Sequence, residues 1–262
     1  MLLAWKNLIH DRVRFLVTLV GIAFAVFLMV FQGSLLTGFL RAAGKGIDST
    51  DADIWITARG VDCFEFATPL PKRFREIAMG VAGVESAHHM VVGYAYWKKP
   101  SGLRQMVLLI GAEPEVGSKF PVPYLNRVSG STTPEAIVVD QSNLESLEVT
   151  ATPLAIEVNN TRANVVDTVS DFSSFFGAPY VFTSYSDAVK YLRLDREETF
   201  YLIVRVAEGR NVEQVKQVLQ SRLPESDVWT REEFSRRAQL FWVVKTGAGT
   251  LPENRQCRLL KA

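Results

Sequence analysis

The chain has 262 residues and a net charge of +1, with 48% hydrophobic and 22% charged residues. Nothing in that balance supplies a Lys/Arg stripe interleaved with aromatics, so nucleic-acid binding is excluded. Cys63 and Cys257 are too few and too far apart for a disulfide framework or a zinc site, and read as unrelated free thiols.

Residues 2–14, LLAWKNLIHDRVR, place Leu2, Trp5, Leu8 and Ile9 on one helical face, as a short interfacial helix or a continuation of the helix that follows would do. From Phe15 to Leu40 there is no charged residue. The stretch FLVTLVGIAFAVFLMVFQGSLL exceeds the roughly 20 residues that cross a hydrocarbon core. It is also longer than the apolar region of a secretory signal, and no A-x-A site follows, so residues 15–40 read as an uncleaved transmembrane helix. Lys6, Arg12 and Arg14 precede the span, whereas Arg41 and Lys45 are soon offset by Asp48, Asp51 and Asp53. That bias predicts a cytoplasmic N-terminus, residues 1–14, and an extracytoplasmic domain over residues 41–237. Gly21 and Ala25 form a small-xxx-small pair at which another helix could approach.

In the outer region, DADIWITA (51–58) reads as a strand with Ile54 and Ile56 alternating against Asp53 and Trp55, and Asp51 and Asp53 as a solvated strand start. PKRFREIAMGV reads as a helix with Pro71 near its start, ended by Gly83. Two β-like runs, VESAHHMVVGYAYWKK and LRQMVLLIGAEP, flank the turn Pro100-Ser101-Gly102. Residues 125–182 read as a β-rich insert with the pieces EAIVVD, LEVTA, PLAIEVN, ANVVDTV and PYVFT, and Asn159-Asn160 as a hairpin turn. SYSDAVKYLRL is a helix with Ser184 or Ser186 as N-cap, TFYLIVRVA a strand, NVEQVKQVLQSRL a helix capped by Asn211, SDVWT a strand, and REEFSRRAQLFWVV a final helical run. Strand-helix-strand-strand followed by helix-strand-helix-strand predicts an α+β, ferredoxin-like unit.

Catalytic motifs are missing. No G-x-x-x-x-G-K-[ST] cradle occurs, Gly247-Ala248-Gly249 lacks the following Lys-Ser/Thr, and no G-x-S-x-G elbow is present. His88 and His89 are neighbours on a predicted strand and point to opposite faces, which does not suit a shared metal. No cofactor and no enzymatic activity are expected. In DFSSFFGAPY, Phe172, Phe175 and Phe176 read as packing residues of the insert, with a partner-contact patch as the alternative.

In whole-chain texture the sequence resembles the FtsX/MacB-type ABC transporter permeases, most closely their DevC-like branch. The resemblance runs from AWKNLIHDRVRFLVTLVGIAFAVFLMVFQG through GVESAHHMVVGYAYWKKPSGLRQMVLLIGAEP to REEFSRRAQLFWVVKTGAG. It implies an inner-membrane subunit with a porter-like α+β domain outside and three further membrane helices. It also implies a homodimer, a cytoplasmic ABC ATPase and a periplasmic adaptor as partners, and contact with membrane lipid. Residues 238–262 begin like a second membrane helix, but after Gly249 the sequence reads TLPENRQCRLLKA. The expectation is therefore a truncated copy that cannot complete an export cycle alone. The alternative function is a single-pass sensor or adaptor with an extracytoplasmic binding domain.

Overall fold

A computed structural model describes residues 12–113, 125–129, 133–170, 172 and 178–245. The amphipathic reading of Leu2, Trp5, Leu8 and Ile9, the contact candidates Phe175 and Phe176, Cys257, the Gly247-Ala248-Gly249 run and the polar tail lie outside the described residues. The chain divides into two compact units, residues 1–41 and 42–262.

The first unit is the body of helix α1 (Arg12–Asp48). None of its most apolar 18-residue window is buried, unlike a core helix of a soluble protein. Phe24 and Phe27 are each 60% exposed, a surface suited to lipid and not to water. Thr18 and Thr37 donate their hydroxyls to the carbonyls of Arg14 and Gly33, at 2.9 and 2.8 Å. Their polar groups are thereby satisfied within the helix, as a bilayer requires. The helix continues past the expected end at Leu40, and its residues from Ala42 onward belong to the second unit.

The second unit is built on a nine-stranded sheet. Strand β1 (Ile54–Ala58) is followed by the short β2 (Leu70–Pro71), helix α2 (Phe74–Met79) and the long β3 (Val84–Lys98). Far along the chain come β9 (Glu198–Thr199), β10 (Tyr201–Val206), α5 (Val212–Arg222), β11 (Ser226–Thr230) and α6 (Arg231–Lys245). The strands stand in the order β11-β1-β10-β3, all antiparallel. Counting only these strands along the chain, that is 4-1-3-2, the ferredoxin-like order of two interleaved βαβ units.

Both faces of β1 are covered, so its alternation does not separate core from solvent. Ile54 and Ile56 pack with Phe74, Ala78, Val215 and Leu219 of α2 and α5, while Trp55 packs on the other face with Ile47, Phe64 and Phe234. Asp53 is not a solvated strand start: its carboxylate accepts the Val206 N–H at 2.8 Å and closes the end of β10. Pro71 pairs with Glu198 in β2–β9, and α2 starts only at Phe74. That helix ends at Met79, and Gly83, at φ +100°, turns the chain into β3. Asn211 caps α5 as expected, accepting the N–H groups of Glu213 and Gln214.

Between β3 and β10 the chain leaves this order. It forms β4 (Arg104–Ala112), α3 (Asn126–Ser129), β5 (Ala136–Asp140), β6 (Leu154–Val158), β7 (Thr161–Val169), β8 (Tyr180–Ser184) and α4 (Tyr185–Leu192). The sheet continues β3-β4-β8-β5-β7-β6, and β6 returns to the far end of β3 through Trp97↔Val158 and Lys98↔Glu157. These six strands therefore close on themselves. All of them feed one core, which includes Trp97, Leu109, Val139, Ile156, Val165 and Val181. LEVTA is not a strand: Leu147 and Val149 enter this core from a turn, and Trp97 Nε1 donates to the Leu147 carbonyl at 3.3 Å. Asn159 and Asn160, at φ 48° and 63°, make the hairpin turn between β6 and β7. Helix α4, read from sequence as part of the ferredoxin repeat, packs instead on β3, β4 and β8. Gly93 and Gly111 let it come close, since a Cβ on Gly111 would strike Ala188 and the Ser184 carbonyl.

Candidate functional site

Helix α6 follows β11 without a loop. Thr230 accepts the Glu233 N–H at 3.2 Å and its own N–H donates to the Glu233 carboxylate at 2.8 Å, a reciprocal capping box. The Glu233 carboxylate also takes Lys216 Nζ of α5 at 2.6 Å. The Arg231 N–H donates to the Asp53 carbonyl at 3.0 Å, and its guanidinium reaches the Thr50 carbonyl at 3.3 Å. These contacts fix the direction in which α6 leaves the sheet.

One turn on, α6 meets the last turns of α1. A methyl on Gly44 would fall 2.5 Å from Ser235 Oγ and 2.7 Å from Gln239 Nε2, and one on Gly46 would fall 2.5 Å from the Phe64 ring. The two helices thus approach through glycine, where small residues allow close packing. Beneath them lies an aromatic cluster. Trp55 sits 5.4 Å from Phe234, 5.5 Å from Tyr201 and 5.9 Å from Phe64, and Phe64 stacks on Tyr201 at 5.8 Å. The Tyr201 hydroxyl donates to the Phe64 carbonyl at 2.9 Å. At the rim, Arg237 pairs with Asp62 at 2.5 Å and lies over the Trp229 ring at 4.6 Å.

Beside this cluster a carboxyl group is buried. Glu65 accepts from the Cys63 thiol at 2.7 Å and from Trp242 Nε1 of α6 at 3.3 Å. Burial pushes its pKa up, against the pull of those donors. Burial, then the Glu65 charge and hydrogen bond, push the Cys63 thiol up as well, so Cys63 is a protonated donor and no nucleophile. Tyr94, close by, is pushed up to about 12 by burial and then by Glu65 and Cys63. Phe66 covers this side, 5.9 Å from Trp242 and 6.1 Å from Phe241. The arrangement can hold a helix and sense a proton; it presents no activated nucleophile.

The sequence reading did not find this site. Asp62, Glu65 and Arg237 belong to no motif in the sequence. Of the residues it did single out, Gly21 lies exposed on α1 with nothing within 4 Å of a Cβ, and Ala25 is exposed too. Phe172 is buried 5.1 Å from Phe182, its N–H donating to Asp140 at 2.7 Å, with Lys45 Nζ 5.2 Å from its ring centroid. His89 bonds Glu113 at 2.9 Å and the Lys72 carbonyl at 3.2 Å; among the described residues no group of His, Cys, Asp and Glu could hold a metal.

A family model, the MacB-like periplasmic core domain, matches residues 15–222, from the membrane helix to the end of α5. The chain belongs to this family. Among solved structures it is similar to the periplasmic region of MacB from Actinobacillus actinomycetemcomitans, with 12% identity, a TM-score of 0.48, and 78% of this chain and 95% of that one covered. It is also similar to the extracellular domain of the noncanonic ABC-type transporter YknZ from Gram-positive bacteria, with 11% identity, a TM-score of 0.45, and 68% and 98% covered. A third is a domain of a permease protein from Porphyromonas gingivalis, with 12% identity, a TM-score of 0.40, and 68% and 89% covered. No match is found among curated proteins. The second unit is thus a MacB-like extracytoplasmic domain of the ABC transporter permease family, carried on a chain with an apolar N-terminal helix long enough to anchor it in a membrane.

Proposed function

We propose that this chain is a permease-type subunit of an ABC exporter, in which a cytoplasmic ATPase drives conformational change in the MacB-like domain. The observation that carries the reading is the seat of α6. It is welded to β11 by the Thr230/Glu233 box, locked to the last turns of α1 at Gly44, and set on the Trp55–Phe64–Phe234 cluster. A displacement of either helix must therefore move the sheet, because close-packed interiors transmit strain.

In this reading α1 crosses the inner membrane with its N-terminus in the cytoplasm, residues 41–237 lie outside, and residues 125–182 are elaborated for contact with an adaptor. Gly21 and Ala25 form the face on which a second membrane helix, from another copy of the subunit, would pack. Phe172 is a framework residue of the insert in this scheme.

The test is purification of the tagged full chain from membranes in mild detergent. An ABC ATPase should copurify. A monomer without any ATPase would instead favour a single-pass sensor or adaptor. A reporter fused at the exposed turn of Gly209 should be active only when it is an enzyme that folds outside the cytoplasm; activity of a cytosolic reporter there would reverse the orientation.

A further inference from the structure

Where β6 closes on β3, a pocket of about 230 Å³ is lined by Tyr96, Lys98, Arg104, Asn159, Asn160 and Arg193. Lys98 and Arg104 face each other directly across β3 and β4, a like-charge pairing that destabilises a sheet. Glu157 compensates Lys98 at 2.8 Å. Among the described residues Arg104 reaches a neutral oxygen, Asn160 Oδ1, at 3.3 Å. None of the lining residues is acidic, so with Glu157 counted the pocket keeps a charge of about +2.

Arg193 stands at the C-cap of α4 at φ 54°, ψ 40°, the left-handed conformation for which glycine or asparagine is the usual choice. An arginine held there adds a third cation to the lining of the pocket. The walls are fixed by one residue. Asn159 Oδ1 accepts the Tyr96 N–H, its Nδ2 donates to the Tyr191 carbonyl, and its own N–H donates to the Tyr96 carbonyl, each at 2.9 Å. Those bonds join β3, the β6–β7 turn and the end of α4. The bond to Tyr191, with Arg193 N–H on Lys190 and Leu194 N–H on Val189, also occupies carbonyls of the α4 C-terminus that would otherwise repel an anion.

We propose that this pocket binds a phosphoryl group. Two exposed guanidinium groups and an ammonium, with one carboxylate beside them, match a dianion in charge, and guanidinium forks suit phosphoryl oxygens. The volume takes a phosphoryl group and the first atoms attached to it, and falls short of the roughly 300 to 1,000 Å³ of sites for larger organic ligands. The site is independent of the helix junction and of the exporter reading.

The full chain in zwitterionic nanodiscs, titrated calorimetrically at low salt, should bind inorganic phosphate and glycerol 3-phosphate saturably, more weakly as salt rises. Dihexanoyl phosphatidic acid against dihexanoyl phosphatidylcholine separates the sources. Tighter binding of the phosphatidic acid than of glycerol 3-phosphate assigns a lipid headgroup, and equal or weaker binding assigns a soluble phosphate. Arg193→Gly, which the left-handed backbone accepts, should weaken phosphate at least about tenfold with the melting temperature unchanged or raised, and Arg104→Gln should weaken it likewise without lowering the melting temperature. Arg196→Ala, an exposed arginine outside the pocket, should leave binding intact. Lack of saturable phosphate binding, binding that survives Arg193→Gly, or succinate binding as tightly as phosphate would each overturn the proposal.

Discussion

The two halves of the outer sheet share strand β3 and one core, in which Trp55 and Ile203 of one half lie with Leu108, Val138 and Phe182 of the other. In the ferredoxin-ordered half, β11-β1-β10-β3, neighbours are all antiparallel and two helices cover one face. In the closed half, β4–β8 and β5–β7 are parallel, and closure rests on the pairs Trp97↔Val158 and Lys98↔Glu157. Every pairing of the ferredoxin-ordered half joins segments far apart in the chain, whereas the closed half combines the hairpins β3–β4 and β6–β7 with long returns, and the 15-residue β3 runs through both. A tryptophan with no exposed surface anchors each, Trp55 and Trp97. Trp55→Ala and Trp97→Ala should each cost about 3 to 5 kcal/mol. Because β3 is common property, urea unfolding followed by circular dichroism should stay a single transition in both variants. Two separated transitions in Trp97→Ala would show that the closed half is an independent folding unit.

Gly111 sharpens the comparison at lower cost. A Cβ there would lie 2.8 Å from the Ser184 carbonyl oxygen, which is backbone and cannot swing away. At Gly93 the obstacle is the end of the Leu192 side chain at 2.9 Å, which can rotate. Gly111→Ala should therefore lose about 1 to 3 kcal/mol and Gly93→Ala less than about 1 kcal/mol, read as shifts of the urea midpoint. Equal losses would mean that α4 can lift off β4 and that the close approach is not a fixed feature of the closed half.

In both halves, legibility divides local features from long-range ones. Asn211, the Pro100-Ser101-Gly102 turn and the Asn159-Asn160 turn act within a few residues, and each stands where its local chemistry put it. The parallel pairing of β4 with β8 joins Leu108 to Tyr180, and no local pattern carries that information. LEVTA has the composition of a strand but spends its apolar side chains plugging the closed core from a turn, a tertiary override of propensity. The helix SYSDAVKYLRL was legible as a helix, whereas its allegiance was set by two glycines on β3 and β4. Glu65 was invisible for the same reason: Trp242, whose indole N–H donates to its buried carboxyl group, comes from a distant segment.

Two carboxyl groups give the halves and the junction opposite pH signatures. Glu65 has its pKa raised by burial, so the stability it contributes is complete below its ordinary value of 4.5 and is lost as pH rises through the raised value. Glu113 is opposed by burial, but the His89 ring and N–H and the Arg75 charge hold it below 4.5; its contribution is present above 4.5 and lost as pH falls. Urea midpoints measured against pH should therefore fall on the acid side and decline again as pH rises through the raised Glu65 value. Glu65→Gln should flatten that second decline and leave the acid limb, and Glu113→Gln should do the reverse. If both variants flatten the same limb, the assignment of neutral and ionised forms to the two groups is wrong.

An effect smaller than that of Gly111→Ala separates the helices of the two halves. Asn211 caps α5 with two backbone bonds, at 2.9 and 3.2 Å, from Glu213 and Gln214. Ser184 caps α4 with one, from Asp187 at 3.1 Å, but its hydroxyl also donates to the Asp187 carboxylate at 2.7 Å. Removing either side chain strands helix N–H groups, and each change to Ala should cost about 1 kcal/mol, within the 0.5 to 2 kcal/mol seen for such caps. Ser184→Ala should be the costlier, since it also takes a donor from a partly buried carboxylate. Asn211→Gly should recover most of its loss, because glycine at an N-cap leaves room for water to reach the free N–H groups. The slope of the urea transition decides what the caps report. Unchanged slopes in both variants mean that the two helices melt with one sheet. A shallower slope in Ser184→Ala alone would mean that α4 and the closed strands come apart first, with the ferredoxin-ordered half still folded on β3.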